Sequence, residues 1–284
     1  HGIVMVEDCA HSLGVRYKGV HTGHHGVMAS FSSQSYKMLN SGEGGFLVTD
    51  DDELAAKAIC YAGSYEKLYK KHALHPPEAV FERVKLTIPN FSLRMHAATA
   101  AMIRPQIATL DERIVQYNER YFHFAPLINS HRNIEVPEQL PDVDVVADSI
   151  QFNLVDLTHR QVDEFVSVCK LYGVPVEIFG AASNSRNFKN WQFGPVADGC
   201  DTSLAILQSA VDLRLPLGFE DEDLEIMARV VLHAADVAST FYISAESERP
   251  ESLPVRVMQL EANVDKRLES LEEAVRALAT QVSS

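Results

Sequence analysis

The start of the chain constrains the fold most, because a short β-branched apolar run is followed there by polar turns and then by a helix signal. Residues 2–6 (GIVMV) are apolar and lead directly into Glu7 and Asp8. This is the pattern of a buried parallel strand with polar groups at its carboxyl end. Residues 51–62 begin with acidic side chains and become rich in alanine, which predicts a helix. Together these signals favour an α/β domain.

The middle of the chain has two further segments with a clear pattern. Residues 64–89 are polar and contain Pro76 and Pro77, so we expect a loop. Residues 94–130 have a helical pattern, in which Pro105 marks either a break or a new first turn.

A change of character at Asn133 predicts a second, smaller α+β domain. The expected strands are 149–157 and 174–179, and the expected helices are 160–172, 200–213 and 220–241. The predicted domains are therefore 1–130, 131–243 and a linker with a helical tail at 244–284. Apolar residues from Val264 to Val282 follow a heptad spacing, which indicates either a short self-association seam or a marginal solvated helix.

The composition is that of a globular protein and argues against several classes of function. Apolar residues make up 46% and charged residues 23%, which argues against disorder. The net charge of −14 argues against a basic nucleic-acid surface. No apolar run approaches the roughly 20 residues of a membrane span, and the four cysteines are scattered, as reduced thiols are. We therefore expect a cytoplasmic protein that binds neither nucleic acid nor membrane.

Asp8 and Lys37 are the residues that indicate a chemistry. Lys37 lies in a segment rich in serine and glycine, residues 32–45, and Asp8 lies at the end of the first predicted strand. This set suits pyridoxal phosphate, because the amine can form a Schiff base and the carboxylate can keep the pyridine nitrogen protonated. Hydroxyl and backbone N–H groups can hold the phosphate. A surface lysine in an ordinary loop has the same residue types, so type and spacing alone leave both interpretations open.

The runs VEDCAHSLG and FSSQSYKMLNSGEGGFLVTDD resemble the DegT/DnrJ/StrS family of aminotransferases. The family pattern has an Asp in an E-D-x-A-Q/H turn, a Ser shortly before the Lys, and G-E-G-G after it. In this chain the pattern falls on Glu7, Asp8, Ala10, His11, Ser32, Lys37 and residues 42–45. The resemblance covers about residues 1–240. It implies an α/β fold of type I among pyridoxal phosphate enzymes: part of a large domain with a mainly parallel sheet, and a small C-terminal α+β domain.

By this resemblance, Lys37 is the catalytic residue, which carries the Schiff base and moves a proton at the substrate carbon. The implied cofactor-binding residues are Asp8, His11, Ser32, Lys37 and Ser92. The implied substrate-binding residues are Gln34 and Arg94. No metal site is expected, because the histidine-rich turn HTGHHG has no cysteine or carboxylate ligand near it in the sequence.

The implied activity is a pyridoxal phosphate-dependent transfer of an amino group from glutamate or glutamine to a keto-sugar or related carbonyl acceptor. Relatives are homodimers, so we expect a homodimer here. Family members carry a further segment before the position where this chain begins, and we expect the piece alone to bind the cofactor poorly.

Two alternatives stay open at this stage. One is another pyridoxal phosphate reaction on the same scaffold, such as a sugar dehydratase; Lys37 argues against it, because those relatives have a His there. The other is a non-catalytic or truncated homologue that acts through association or regulation.

Overall fold

A computed structural model of the protein describes residues 1–64, 70, 74–194 and 199–241. By their internal contacts the residues divide into two units, His1–Ser239 and Thr240–Ser284. The predicted linker and heptad tail at 244–284 lie outside the described residues. The predicted boundary between residues 130 and 131 stays a prediction.

The secondary structure is mixed. The described strands are β1 (Val6–Asp8), β2 (Arg16–Tyr17), β3 (Val20–His21), β4 (Met28–Ser32), β5 (Gly45–Val48), β6 (Ile134–Glu135), β7 (Val143–Asp144), β8 (Ser149–Leu154), β9 (Glu177–Ile178) and β10 (Ala210–Arg214). The described helices are α1 (Asp52–Tyr61), α2 (Glu78–Val84), α3 (Ala97–Ile107), α4 (Leu110–Ile128), α5 (His159–Leu171), α6 (Asp201–Ser209) and α7 (Asp221–Thr240). None of the described helices is long and apolar enough to cross a bilayer.

The strands form three sheets with the orders β1-β4-β5, β6-β8-β10-β9 and β3-β2-β7. The α/β fold class is confirmed. Parallel pairing within the described strands is confined to β1 and β4, so the sheet is less parallel than expected. The reason is that β4 and β5 are joined by a turn, residues 33–44, and a strand that returns through a turn pairs antiparallel.

The first strand is shifted from its predicted position and is not buried. It begins at Val6, and the side chains of Ile3 and Val4 are 84% and 70% exposed. Because β1 forms an edge of its sheet, it has β4 as a neighbour on one side only.

The segment predicted as a loop, residues 64–89, contains helix α2. Its Val80, Phe81 and Val84 are buried in one cluster with Ala56 and Cys60 of α1. This packing stabilises a helix that is too short to form alone in water.

Two other predicted helices differ in their ends. Pro105 lies near the end of α3 instead of starting a new helix, and the break comes after Ile107. The helix predicted over 200–213 ends at Ser209, and β10 follows it. Pairing of the whole of β10 with β8 overrides the local helical preference of this segment.

The largest core lies between the four-stranded sheet and helices α4, α5 and α7. Ile150, Phe152 and Leu154 of β8 alternate into it, and the residues between them point to the opposite face. Strand β10 does the same with Val211 and Leu213. The sheet therefore has one apolar face in the core and one polar face.

Candidate active site

Lys37 lies in the turn between β4 and β5, and buried serines hold this turn together. The N–H of Ser33 donates to Gly44 O (2.9 Å), and the N–H of Ser41 donates to Ser33 O (2.8 Å). The Ser41 hydroxyl also donates to Ser33 Oγ at 3.0 Å, and both serines are buried. Gly44 has a φ of +141°, and a Cβ there would lie 2.8 Å from Ser33 Oγ. The glycine-rich sequence is thus required by the backbone of this turn.

Two helices fix the same turn from outside. The side chain of Gln106 in α3 accepts from Asn40 N–H at 3.0 Å and donates to Asn40 O at 2.6 Å. The Arg113 guanidinium of α4 donates to Met38 O at 2.8 Å. The sequence analysis missed Gln106 and Arg113, because their contacts join residues far apart in the chain.

The amine of Lys37 lies 2.7 Å from His11 Nε2. Burial lowers the pKa of Lys37, and the Arg214 guanidinium lowers it further. The carboxylates of Asp148 and Asp8 act in the opposite direction but do not cancel this effect. Burial also lowers the pKa of His11, and the positive charge of Lys37 adds to that. Both groups therefore lose their protons more readily than usual.

Asp8 and Ser32 lie at the carboxyl ends of the parallel pair β1 and β4. Asp8 Oδ1 accepts from Ala10 N–H at 3.1 Å, and Ser32 Oγ accepts from Gln34 N–H at 3.2 Å. Ser32 lines a small space together with His11 and Lys37. The structure thus brings Lys37, His11 and Ser32 together, with Asp8 at the same edge of the sheet.

The other three predicted site residues are placed differently. Gln34 is in the turn, where its carbonyl accepts from Lys37 N–H at 3.0 Å. Gly63 follows the end of α1, and Ser92 and Arg94 lie beside this glycine. Ser92 has a φ of 53°. Within the described residues, no hydrogen bond or ion pair joins either of them to Lys37. Their predicted roles stay predictions.

Glu7 has a structural role that its motif position did not reveal. Its carboxylate accepts from the N–H groups of Gly23 (2.8 Å), His25 (2.8 Å) and Gly26 (2.7 Å). Burial raises the pKa of Glu7, but these hydrogen bonds outweigh it and lower the pKa overall. The histidine-rich turn is therefore a loop organised around a carboxylate. The part of the chain described here contains no group of three His, Cys, Asp or Glu that could hold a metal.

Polar residues of the four-stranded sheet also reach the site. The Arg214 guanidinium lies 5.8 Å from the centre of the Tyr36 ring and 3.3 Å from Asp148 Oδ2. Asp148 lines the small space at Lys37. The sequence analysis missed Asp148 and Arg214. The alternation of polar residues in the two strands was a signal that could have found this face.

Comparisons with known proteins identify the family of the chain. The sequence profile described as the DegT/DnrJ/EryC1/StrS aminotransferase family matches residues 1–231. The chain is 48% identical over 58 residues to the L-glutamine:scyllo-inosose aminotransferase of Streptomyces griseus. The aligned stretch covers 20% of this chain and 14% of the relative. The chain is also 30% identical over 129 residues to the 3-amino-5-hydroxybenzoate synthase of Amycolatopsis mediterranei. This second aligned stretch covers 45% of this chain and 31% of the relative.

Two solved structures share the fold. The crystal structure of 3-amino-5-hydroxybenzoic acid synthase superposes with a TM-score of 0.66 at 21% identity, over 83% of this chain and 61% of that one. A family aminotransferase from Brucella abortus superposes with a TM-score of 0.62 at 17% identity, over 81% and 57%. The chain spans less than a third of the two curated relatives and less than two thirds of these structures. From its profile match and its fold, the chain belongs to the DegT/DnrJ/EryC1/StrS aminotransferase family.

Proposed function

We propose that this protein is a pyridoxal phosphate-dependent aminotransferase that moves an amino group from glutamate or glutamine to a keto-sugar or related carbonyl acceptor. The observation that carries the proposal is the Lys37 amine, 2.7 Å from His11 Nε2, at the sheet edge where Asp8 and Ser32 end two parallel strands. Membership of an aminotransferase family supports it, as does the name of the relative from Streptomyces griseus.

The residues present fit the cofactor. Within the described residues Lys37 forms no ion pair with a carboxylate, and its lowered pKa favours the neutral amine that an aldehyde requires. Among the described residues Asp8 accepts one hydrogen bond, from Ala10 N–H, so its carboxylate has capacity for the ring nitrogen. Ser32, with Ser92, would hold the phosphate. When bound, pyridoxal phosphate supplies a ring that takes up electrons from the substrate carbon.

Lys37 has a second role as a proton carrier. Its neutral amine can accept a proton from the substrate carbon and return it to a neighbouring atom. His11 Nε2 can accept from or donate to the amine, depending on its tautomer, and so holds the amine in place. We place Gln34 and Arg94 as substrate contacts. We also propose a homodimer and a cytoplasmic location, for which the family resemblance is the support.

Amino transfer from L-glutamine to scyllo-inosose tests this function directly. The chain, expressed together with any coding sequence contiguous with it in the same reading frame, is purified and incubated with pyridoxal phosphate and both substrates, and the amino-cyclitol is measured by mass spectrometry. We expect product from the unmodified protein and a rate about 10²–10⁴-fold lower for Lys37→Ala, the range for a lost acid–base group.

The matched control is Lys57→Ala in α1, where alanine is favourable and the loss is an exposed ion pair with Glu53. It should keep the full rate. Equal rates for Lys37→Ala and Lys57→Ala would contradict the proposed function.

A further inference from the structure

Asp148 lines the same small space as the Lys37 amine, but the two groups do not pair. Within the described residues the hydrogen bond of the Lys37 amine is made with His11 Nε2, at 2.7 Å, and no ion pair joins the amine to Asp148. A carboxylate in contact with a lysine amine favours the protonated amine, whereas reaction with an aldehyde requires the neutral one. The group that binds Asp148 therefore matters to the chemistry of Lys37.

Arg214 binds the Asp148 carboxylate. Its guanidinium lies 3.3 Å from Asp148 Oδ2 and 5.8 Å from the centre of the Tyr36 ring. A guanidinium within about 6 Å of an aromatic ring is attracted to the face of that ring. Arg214 thus contacts Asp148 and also the residue that precedes Lys37 in the turn.

The register of the sheet sets the position of Arg214. In the pairing of β10 with β8 it lies opposite Ser149, and the N–H of Leu215 donates to Asp148 O at 3.4 Å. Leu213 and Leu215 on either side of Arg214 are 3% and 0% exposed. Because side chains alternate along a strand, Arg214 lies on the polar face. Backbone pairing therefore brings the guanidinium next to the carboxylate that it binds.

A second arginine near Asp148 is already engaged. Arg186 and Asp148 both line a cavity of about 440 Å³ on this face of the sheet. The Arg186 guanidinium contacts Glu177 and lies 3.5 Å from Asp212 Oδ2. To neutralise Asp148 in place of Arg214, it would have to leave these two carboxylates.

The charged groups that face Lys37 act in opposite directions. Burial lowers the pKa of the Lys37 amine; Asp148 is the charge that acts on it most strongly and raises that pKa, and Arg214 lowers it. Asp8 also raises the pKa, but by less. His11, whose own pKa is lowered by burial and by Lys37, adds no charge in its neutral form. Asp148 is thus the main carboxylate that favours a protonated Lys37.

We propose that Arg214 is a positioning residue for Lys37, because its ion pair with Asp148 keeps that carboxylate from pairing with the Lys37 amine. Without Arg214, Asp148 would be free to turn to the cation of the space that it shares, which is Lys37. The ammonium group held in that way cannot attack a carbonyl. The inference rests on the proposed function, since a neutral amine is needed only if Lys37 binds the cofactor.

The pH dependence of amine labelling tests this role without turnover. The protein, purified as for the transfer assay and freed of pyridoxal phosphate, is treated with a trace of acetic anhydride at a series of pH values. Peptide mass spectrometry gives the acetylation rate of Lys37 relative to that of the exposed Lys57. We expect Arg214→Gln to lower the Lys37 rate about tenfold at pH 7 and to move its midpoint to higher pH, because a contacting carboxylate favours the unreactive ammonium.

A double variant separates this role from a direct effect of the arginine charge. If Arg214 acts through Asp148, then Asp148→Asn combined with Arg214→Gln should label Lys37 at least as fast as the unmodified protein. A merely structural role of Arg214 would not be rescued in this way. Arg214→Lys keeps a cation beside Asp148 and should keep most of the rate. The same tenfold loss in the double variant as in Arg214→Gln would overturn the inference.

The matched control is Arg229→Gln in α7, which removes an exposed arginine that lies 3.9 Å from Glu225. It should leave the Lys37 rate and midpoint unchanged. The Arg214 side chain is 45% exposed, so its replacement should leave the core intact. An unchanged Lys37 rate in Arg214→Gln, or an equal loss in Arg229→Gln, would refute the role of Arg214.

The two proposals can fail separately, because the labelling uses neither cofactor nor substrate. If labelling follows the expected pattern but no amino group is transferred, the proposed function fails and the ion pair stands as the control on Lys37 protonation. If transfer proceeds and Arg214→Gln labels Lys37 at the unmodified rate, the inference is refuted and the proposed function stands.

Discussion

The turn that contains Lys37 and the polar face of the four-stranded sheet meet at one site but are built in different ways. The turn, residues 33–44, is fixed by backbone hydrogen bonds, two buried serines and glycines with positive φ. The sheet face is fixed by the core beneath it, and its outward side chains pair with one another and with residues of the neighbouring loops.

This difference determines which residues tolerate substitution. The buried serines and Gly44 of the turn cannot change without disturbing the backbone that places Lys37. An outward residue of the sheet can change without disturbing the strand, since its neighbours on the same strand hold the core. We therefore expect the turn to tolerate substitution less well than the sheet face.

The largest effect should come from weakening the core under the sheet face. Phe152 is 1% exposed and makes an edge-to-face contact with Phe165, with ring centres 6.2 Å apart. Phe152→Ala should lower the free energy of unfolding by about 3–5 kcal/mol, because it leaves a cavity in a packed core. Urea unfolding measures this change.

The control is Phe193→Ala, whose side chain is 83% exposed. It should change the free energy of unfolding by about 1 kcal/mol or less. Similar losses of unfolding free energy in Phe152→Ala and Phe193→Ala would mean that the packed core does not stabilise the sheet.

A smaller effect should come from releasing the Lys37 turn. Arg113→Ala removes the hydrogen bond from a charged group to Met38 O, which is worth about 1.5–3 kcal/mol. Hydrogen exchange should become faster at the amides of residues 33–44 and stay unchanged in β8 and β10. Arg104→Ala, on the exposed side of α3, is the control. If exchange rises equally in the turn and the sheet, the two regions are not independent.

The smallest effect should be a change in pH dependence. The pKa of His11 is lowered, so its ring stays neutral down to a pH below its ordinary value of 6.5. Below that lowered pKa the His11 ring is protonated and repels a protonated Lys37. The ring can then no longer accept a hydrogen bond from the Lys37 amine, so activity falls. His11→Gln removes this charge and should abolish the acid limb, while the rate at neutral pH changes by less than about 1 kcal/mol in activation free energy. An acid limb that is unchanged in the variant would show that His11 does not cause it.

The turn that contains Lys37 was predictable from sequence because its determinants are local. Ser32, Lys37 and the glycines are close together in the chain, and each has one evident chemical or conformational reason to be there. The helix α1 was predictable for the same reason: Asp51 caps it by accepting from Glu53 and Leu54 N–H.

The sheet face was not predictable in the same way. Asp148, Asp212 and Arg214 come together only when β8 and β10 pair. Most of β10 had been predicted as the end of a helix over residues 200–213. The clamp by Gln106 and Arg113 also depends on tertiary packing of helices against the turn. The exposure of Ile3 and Val4 was missed because a run of apolar residues does not reveal whether its strand is at a sheet edge.

The assignment of Lys37 as the cofactor-binding lysine is the central claim, and chemical labelling tests it most directly. The chain, expressed together with any coding sequence contiguous with it in the same reading frame, is purified and incubated with pyridoxal phosphate. Its visible absorption band is recorded, borohydride is added, and the reduced pyridoxyl group is located by peptide mass spectrometry. We predict a band that borohydride bleaches and a label on Lys37, absent in Lys37→Ala and retained in Lys57→Ala. A label on another lysine, or no label in the unmodified protein, would contradict the account.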